Sequence, residues 1–279
     1  MLYLKRSPAA SGDAPTGANP IMTEPTEPIL LSATQDRVRL LTLNRPRRRN
    51  AFNNALYLEL AEALTEASAD ASLGAILIRG AGPVFCAGQD INEMATPEEG
   101  ATLGFVKLLE ALMACELPIV TAVSGYAVGI GATMLLHTDM NYVAVGTRLR
   151  FPFVALGVVP EAASSAILPA LMGYQRAAEI LYTSRWVEAE ESVTLGLTVA
   201  TLPAEGLHAH ALAAAAQVAR QAPQALRATK RLIRASRDAQ VRAALEREYD
   251  TFTDHLGSPE NHEAIQAFFE KREPDFFKD

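Results

Sequence analysis

Short apolar runs alternate with longer segments of helical period along most of this sequence, and this alternation restricts the possible folds more than any other feature. The predicted helices are residues 53–69, 98–114 and 162–172, and the predicted buried strands are residues 38–43, 75–78, 119–123, 142–145, 149–151 and 198–202. The first helix places Leu56, Leu60 and Leu64 at four-residue spacing, which is typical of a single apolar face. Because parallel strands are joined through helices, the pattern predicts an α/β fold around a parallel sheet.

The two ends of the chain depart from this pattern. Residues 1–28 contain five of the 16 prolines and show no hydrophobic period, so we predict a disordered extension there. After Pro203 the composition favours helix throughout. The sequence therefore predicts a core over residues 29–203 followed by a helical C-terminal part over residues 204–279.

Composition excludes several classes of protein. Of the 279 residues, 49% are hydrophobic, which suffices for a sizeable core, and the net charge of −7 without a basic stripe argues against nucleic-acid binding. No window of 18 uncharged apolar residues occurs, so no membrane segment is predicted. Cys86 and Cys115 form neither a Cys-x-x-Cys motif nor a Cys/His cluster. We therefore expect no metal site, and a reducing, cytoplasmic setting.

Two glycine-rich bends, at residues 87–90 and 129–131, follow apolar runs. Such bends expose backbone N–H groups, and two of these that converge on one carbonyl oxygen form an oxyanion hole, although ordinary tight turns have the same composition. A dinucleotide-binding Gly-x-Gly-x-x-Gly is excluded because the third glycine position is Met134. The P-loop, the His-Glu-x-x-His motif and the Gly-x-Ser-x-Gly elbow are also absent from the sequence.

Four segments resemble the crotonase, or enoyl-CoA hydratase/isomerase, superfamily in order and spacing. They are LNRPRRRNAFN at residues 43–53, FCAGQDI at 85–91, SGYAVGIGAT at 124–133 and VPEAASSAILPALMG at 159–173. The tail AFFEKREPDF at residues 267–276 is similar to the C-terminal helix of that family. The resemblance implies a ClpP/crotonase spiral of ββα units with a helical C-terminal part.

The resemblance also implies a binding site for an acyl-CoA thioester. In that family two backbone N–H groups bind the thioester oxygen, and the matching residues here are Gln89 and Ile130. No cofactor is expected, because CoA is part of the substrate. The neighbouring residues implied to contact substrate are Ala87, Asp90, Ile91, Gly129 and Thr133.

The acid–base residues distinguish the reactions of this family. Hydratases use two glutamates, whose positions here are Thr133 and Glu161, and a hydroxyl cannot replace a carboxylate as general base. One carboxylate suffices to move a proton from C2 to C4 of a 3-enoyl-CoA, so the resemblance favours a Δ3,Δ2-enoyl-CoA isomerase with Glu161 as the shuttle. A hydratase, and a member that binds acyl-CoA without turnover, remain alternatives. Without the family context, Glu161 would be read as an acid favoured at a helix N-terminus.

A basic run in this acidic chain, Arg47, Arg48 and Arg49, could bind CoA phosphates or form a solvated turn. The resemblance places Phe268 and Lys271 on the nucleotide of a neighbouring subunit and implies a homotrimer or a dimer of trimers. The remaining notable side chains are expected to be structural: His137 in the core, Asp90 and Asp139 as hydrogen-bonding groups, and Trp186 in packing.

Overall fold

The computed structural model describes residues 27–95 and 101–277, so the predicted extension at residues 1–28 lies almost wholly outside the described residues. Within those ranges the strands are β1 (Leu30–Gln35), β2 (Val38–Leu43), β3 (Ala75–Gly80), β4 (Ile119–Val123), β5 (Tyr126–Val128), β6 (Met140–Ala144), β7 (Arg148–Arg150), β8 (Trp186–Glu188) and β9 (Ala200–Leu202). The helices are α1 (Asn54–Ala69), α2 (Ile91–Ala95), α3 (Ala101–Ala114), α4 (Ile130–Thr133), α5 (Ser164–Met172), α6 (Tyr174–Thr183), α7 (Ala189–Thr194), α8 (Ala204–Ala219), α9 (Pro223–Ala235), α10 (Asp238–His255) and α11 (Pro259–Glu270).

The strands form two sheets. The larger has the order β1-β2-β3-β4-β6-β9, in which β1 and β2 form an antiparallel hairpin and every other pair is parallel. The smaller has the order β5-β7-β8. Parallel pairs joined by helices confirm the predicted α/β class.

Alternation along the central strands gives the larger sheet two apolar faces. On β3, Ile76 and Ile78 belong to the core formed with α1 and α3, whereas Ala75 and Leu77 pack with α8. The α8 face is lined by alanines and approaches the sheet closely, because a Cβ at Gly74 would lie 2.6 Å from Cα of Ala219. A helix on each face therefore buries both sides of this sheet.

Several predicted bounds shift for local reasons. The predicted helix at residues 162–172 begins at Ser164, because Ala162 and Ala163 have left-handed φ values of 56° and 58°. The hairpin strand β1 and the short helix α2 had no periodic signal, and residues 98–100 of the predicted helix at 98–114 lie outside the described residues. The prediction was accurate where a periodic segment was long and apolar.

The C-terminal helices pack on their own chain. Helix α10 packs against α5, and α11 packs against the 3-10 turn Val154–Leu156, where Asn261 Nδ2 donates to the Leu156 carbonyl oxygen at 2.8 Å. Gly157 allows this approach, since a Cβ there would lie 2.6 Å from the Asn261 nitrogen. Both helices consequently border the cavity described next.

Candidate active site

The two glycine-rich bends lie side by side because their preceding residues pair. Cys86 and Ala127 form an isolated parallel bridge, in which the Val128 N–H donates to the Cys86 carbonyl at 3.1 Å and the Cys86 N–H to the Tyr126 carbonyl at 3.2 Å. The bridge holds Gly88 and Gly129 next to each other. Residues 41 positions apart in sequence thus become neighbours through two backbone hydrogen bonds.

Close backbone approach explains the glycines in the bends. Gly88 has a φ of 97°, and a Cβ there would lie 2.9 Å from the Val128 carbonyl oxygen. At Gly131 a Cβ would lie 2.8 Å from Cβ of Cys86. A side chain at Gly88 or Gly131 would therefore push the two bends apart.

Both N–H groups predicted to form the oxyanion hole are free. The two residues that flank Gln89 form backbone hydrogen bonds with Phe52. The Asp90 N–H donates to the Phe52 carbonyl, and the Phe52 N–H donates to the Gly88 carbonyl, each at 2.8 Å. The Gln89 N–H therefore points to the other side of this extended segment. Ile130 is the first residue of α4, whose N–H has no acceptor within the helix. Neither N–H has an acceptor among the described residues, and both residues line the cavity.

A cavity of about 1470 Å³ opens in front of these groups. Its walls come from the bends, from α3 and from the C-terminal helices α10 and α11. The apolar side chains that line it include Phe105, Leu109, Met113, Phe153, Leu245, Phe252, Leu256 and Phe268. Such a cavity suits a ligand with a substantial hydrocarbon part.

Glu161 lines this cavity and is hydrogen-bonded by Thr133. The Thr133 hydroxyl donates to Glu161 Oε1 at 2.5 Å, and Thr133 itself is buried. The pKa of Glu161 is raised to about 8, mainly by burial. The Thr133 hydrogen bond lowers this pKa, and the charge of Glu248 raises it. The site thus holds a carboxyl group that can accept or release a proton close to neutral pH.

Tyr57 on α1 is a site residue that sequence reasoning missed. Its hydroxyl donates to Gln89 Oε1 at 2.6 Å, and its ring stacks on Phe52 with centroids 4.7 Å apart. Burial, followed by the nearby Glu161, raises the pKa of Tyr57 well above its usual value, so the phenol stays protonated. In the sequence Tyr57 looks like one more residue of an apolar helix face, so no pattern distinguishes it.

Asp90 anchors the first bend rather than reacting, as expected of a hydrogen-bonding group. It pairs with Arg45, with Oδ2 and Nη2 3.1 Å apart, and accepts from Asn92 Nδ2 at 2.9 Å. Burial opposes ionisation of Asp90, but these hydrogen bonds outweigh it and lower its pKa. The remaining substrate-contact candidates, Ala87, Ile91 and Gly129, also line the cavity, whereas the buried Thr133 reaches it only through Glu161.

The basic run lies beside the first bend. Arg47 and Arg48 form a 3-10 turn, Arg49 follows in a left-handed conformation, and its carbonyl accepts the Ala87 N–H at 3.0 Å. All three side chains are exposed and line the cavity, and none has a carboxylate partner among the residues described. Three unpaired guanidinium groups at a cavity mouth favour binding of phosphate groups.

Within their own chain, Phe268 and Lys271 lie differently relative to the cavity, and their contact with the nucleotide of a neighbouring subunit stays a prediction. Phe268 is half-exposed and lines the cavity of its own chain, because α11 folds back onto the Val154–Leu156 turn. Lys271 follows α11 in a left-handed conformation, is exposed, and does not line the cavity. The structure therefore brings Phe268, but not Lys271, to this site.

His137, Asp139 and Trp186, which were expected to be structural, each contact other parts of the chain, and Trp186 also lines the cavity. His137 is buried, and its Nε2 lies 2.7 Å from the Ala162 carbonyl; burial lowers its pKa to about 4, so the neutral ring donates. Asp139 pairs with Lys230 at 2.8 Å, and the guanidinium of Arg148 lies 4.7 Å from the centre of the Trp186 ring.

Residues 27–95 and 101–277 hold neither a metal-binding cluster nor a membrane-spanning helix. Those ranges contain no group of three or more His, Cys, Asp or Glu side chains arranged to hold a metal ion. They also contain no helix that is both long and apolar enough to span a membrane.

The chain is similar to known proteins in both sequence and fold. The family described as enoyl-CoA hydratase/isomerase matches residues 33–279. The chain is 36% identical to a 2,3-dehydroadipyl-CoA hydratase of Escherichia coli K12 over 249 residues, 88% of this chain and 98% of that one. It is 31% identical to a 1,2-epoxyphenylacetyl-CoA isomerase of the same strain over 259 residues, 88% of this chain and 97% of the relative. The crystal structure of an enoyl-CoA hydratase/isomerase from Pseudoalteromonas atlantica T6c covers 89% of this chain and 100% of its own, with 40% identity and a TM-score of 0.86.

Proposed function

Because the chain belongs to the enoyl-CoA hydratase/isomerase family, we propose that it moves the double bond of a 3-enoyl-CoA to give a 2-enoyl-CoA. Glu161 as carboxylate removes a proton from C2, and the electrons of that C–H bond form a dienolate. The N–H groups of Gln89 and Ile130 stabilise its oxyanion. Glu161 then returns the proton to C4, so the double bond lies between C2 and C3 and no cofactor is needed.

The observation that carries this proposal is the Thr133–Glu161 hydrogen bond at 2.5 Å. A hydration mechanism with two carboxylates needs a second general base at position 133. The Thr133 hydroxyl donates a hydrogen bond to Glu161 but does not ionise near neutral pH, so it cannot act as that base. Glu161 alone, with a pKa raised to about 8 by burial, can both take up and return a proton. One carboxyl group beside two free N–H groups therefore suits a proton shuttle.

Hydration is the second candidate, because the relative with 36% identity is named a hydratase. In that reaction Glu161 would hold and deprotonate water without a second carboxylate. A third candidate is acyl-CoA binding without turnover. A partly buried carboxyl with a raised pKa argues against this third candidate, since an idle site gains nothing from the cost of desolvating that carboxyl.

Supplying each substrate separately distinguishes these candidates. We expect 3-enoyl-CoA to gain conjugated thioester absorbance, because its double bond moves into conjugation. A loss of that absorbance from 2-enoyl-CoA, with no gain from the 3-enoyl substrate, would assign a hydratase instead. Binding of both thioesters without any absorbance change would assign the non-catalytic function.

The hydroxyl of Thr133 should determine the pH at which the shuttle works. Because Glu161 must be ionised to take the C2 proton, we expect kcat/KM to rise with pH up to about 8. In Thr133→Val the carboxylate loses one hydrogen bond, which is worth about 1.5–3 kcal/mol to a charged group, so this midpoint should move up by about 1–2 pH units. The measurement is the pH profile of kcat/KM.

Thr147→Val is the matched control, since Thr147 is also buried but its hydroxyl donates to the Val123 carbonyl, away from the cavity. Its profile should follow that of the wild type. An unchanged midpoint in Thr133→Val would mean that the two side chains are not coupled in solution.

We also propose how the CoA phosphates are bound, how the subunits assemble and where the protein is located. Arg47, Arg48 and Arg49 are proposed to bind CoA phosphates at the cavity mouth, where they lack carboxylate partners in the described ranges. A homotrimer or a dimer of trimers is proposed from the resemblance alone. Cys86 and Cys115 are buried free thiols, which suits a cytoplasmic location.

A further inference from the structure

The loop that carries Glu161 has an unusual backbone. Ala162 and Ala163 directly follow Glu161, and both adopt left-handed conformations although neither is glycine. Such conformations are disfavoured for residues with a Cβ and persist only where surrounding contacts enforce them. The position of Glu161 therefore depends on whatever holds this loop.

A carboxylate from the C-terminal helical part holds the loop. Glu248 on α10 is 6% exposed, and its Oε2 accepts the Ala163 N–H at 2.6 Å while its Oε1 accepts the Ser165 N–H at 2.8 Å. These N–H groups belong to the first turn of α5 and have no acceptor within that helix. A carboxylate that accepts on both oxygens caps the helix and fixes the loop at once.

Hydrogen bonds from neutral groups also hold this loop. The Ser164 hydroxyl and N–H both donate to the Glu161 carbonyl, at 2.6 and 3.0 Å, and neutral His137 donates to the Ala162 carbonyl. Glu248 differs from these groups because it carries a charge and also lines the cavity that Glu161 lines.

We propose that Glu248 is a positioning residue: from the C-terminal helical part it fixes residues 161–165, and its negative charge acts on the proton that Glu161 carries. This inference rests on the proposed role of Glu161. It also assigns α10 a part in the chemistry beyond covering the cavity.

The electrostatic effect has a defined direction. The charge of Glu248 raises the pKa of Glu161, after burial, the larger cause. Burial raises the pKa of Glu248 itself, while its hydrogen bonds with Ser165 and Ala163 and the charge of Arg247 on α10 lower it. Around Glu161, the Thr133 hydrogen bond lowers the pKa, Tyr57 lies close enough to feel the charge of Glu161, and the neutral His137 bonds only to the loop backbone. Removing the charge of Glu248 should therefore make Glu161 more acidic.

Two variants separate charge from position. Glu248→Gln keeps the size but loses the charge and one of the two acceptors, because its amide nitrogen donates. Glu248→Asp keeps the charge and both acceptors but shortens the reach to the two N–H groups. The matched control is Glu246→Gln, which makes the same change at an exposed position of the same helix.

The decisive readout is a carbon-13 NMR titration of the full chain labelled at the glutamate carboxyl carbon, with the Glu161 signal assigned by its loss in Glu161→Gln. In Glu248→Gln we expect the Glu161 midpoint to fall below that of the wild type. In Glu248→Asp it should stay raised. The control should match the wild type.

Kinetics with 3-enoyl-CoA provide the second readout. Both Glu248 variants should lose about 10–100-fold in kcat with little change in KM, because a shuttle displaced by about 1 Å loses its alignment with C2 and C4. The acidic limb of the pH profile should move to lower pH in Glu248→Gln alone.

The outcomes separate this inference from the proposed function. A Glu161 midpoint and a kcat in Glu248→Gln that both equal those of Glu246→Gln would overturn the inference and leave the isomerase intact. A wild type without isomerase activity would overturn the proposed function, while the titration would still decide whether Glu248 acts on Glu161. If Glu248→Gln does not fold, a wild-type kcat in Glu248→Asp would overturn the positioning role.

Discussion

Replacing Glu161 with glutamine should lower kcat on 3-enoyl-CoA by about 10²–10⁴-fold, the range over which a positioned acid–base group contributes. An amide of the same shape can still accept the Thr133 hydroxyl, so the local packing is preserved. The amide cannot take the C2 proton, and position 133 holds a threonine, not a second carboxylate that could take the proton instead. The measurement is the rate at which conjugated thioester absorbance appears.

The same variant should gain stability at alkaline pH, which distinguishes a lost proton carrier from a damaged fold. In the unfolded chain this carboxyl ionises near its ordinary pKa of 4.5, whereas burial raises it to about 8 in the folded protein. The folded state therefore binds more protons between these values, and stability from this group falls as pH rises through them. Glutamine removes that loss, so at pH 9 Glu161→Gln should melt above the wild type.

Glu59→Gln, an exposed change on α1, is the matched control and should match the wild type in both rate and melting temperature. Retention of the full rate by Glu161→Gln would mean that another group carries the proton. A lower melting temperature at pH 9 would mean that Glu161 is not buried as the structure has it.

The second large effect should come from Gly88→Ala. The new Cβ would lie 2.9 Å from the Val128 carbonyl oxygen, and alanine is strained at a φ of 97°. The two bends must then separate, which moves the Gln89 N–H away from that of Ile130. Losing one oxyanion donor costs about 10²–10³-fold in kcat, so we expect a loss of that size, measured in the same assay.

Gly82→Ala controls for the backbone strain. Gly82 also has a left-handed φ, of 73°, but a Cβ there would meet only the Pro46 side chain, at 3.6 Å. It should lose about 1–2 kcal/mol of stability, since the left-handed conformation costs alanine that much, and keep its kcat. Equal rates in the two alanine variants would show that Gly88 does not align an oxyanion donor.

Much of the fold followed from local pattern. The strand at β3 and the helix at α1 were predicted because a continuous apolar run and a four-residue spacing are both properties of a single segment. The helix start at Ser164 was misplaced because Ala162 and Ala163 are left-handed, a conformation that alanine adopts only under tertiary constraint. Likewise, the side on which α11 packs depends on Gly157 and Asn261, which are distant in sequence.

Residues of the candidate site could be predicted only where they belong to a recognisable sequence motif. Gln89, Ile130 and Glu161 were found through segments whose order resembles a family, and the structure places all three on one cavity. Tyr57 and Glu248 were missed, because each lies on an ordinary helix and its role arises from a contact with a residue 32 or 85 positions away. No local pattern encodes such a pair.

The sequence by itself determined the α/β class and the family resemblance, and it predicted Glu161 as the carboxylate, since these depend on residue type and short-range spacing. Only the tertiary structure decided that the Thr133 hydroxyl binds Glu161, that two bends share one bridge, and that α10 and α11 close over their own chain's cavity. The physical reason is that burial and long-range hydrogen bonds set both the proton affinity of Glu161 and the alignment of the N–H groups, and neither exists until the chain has folded.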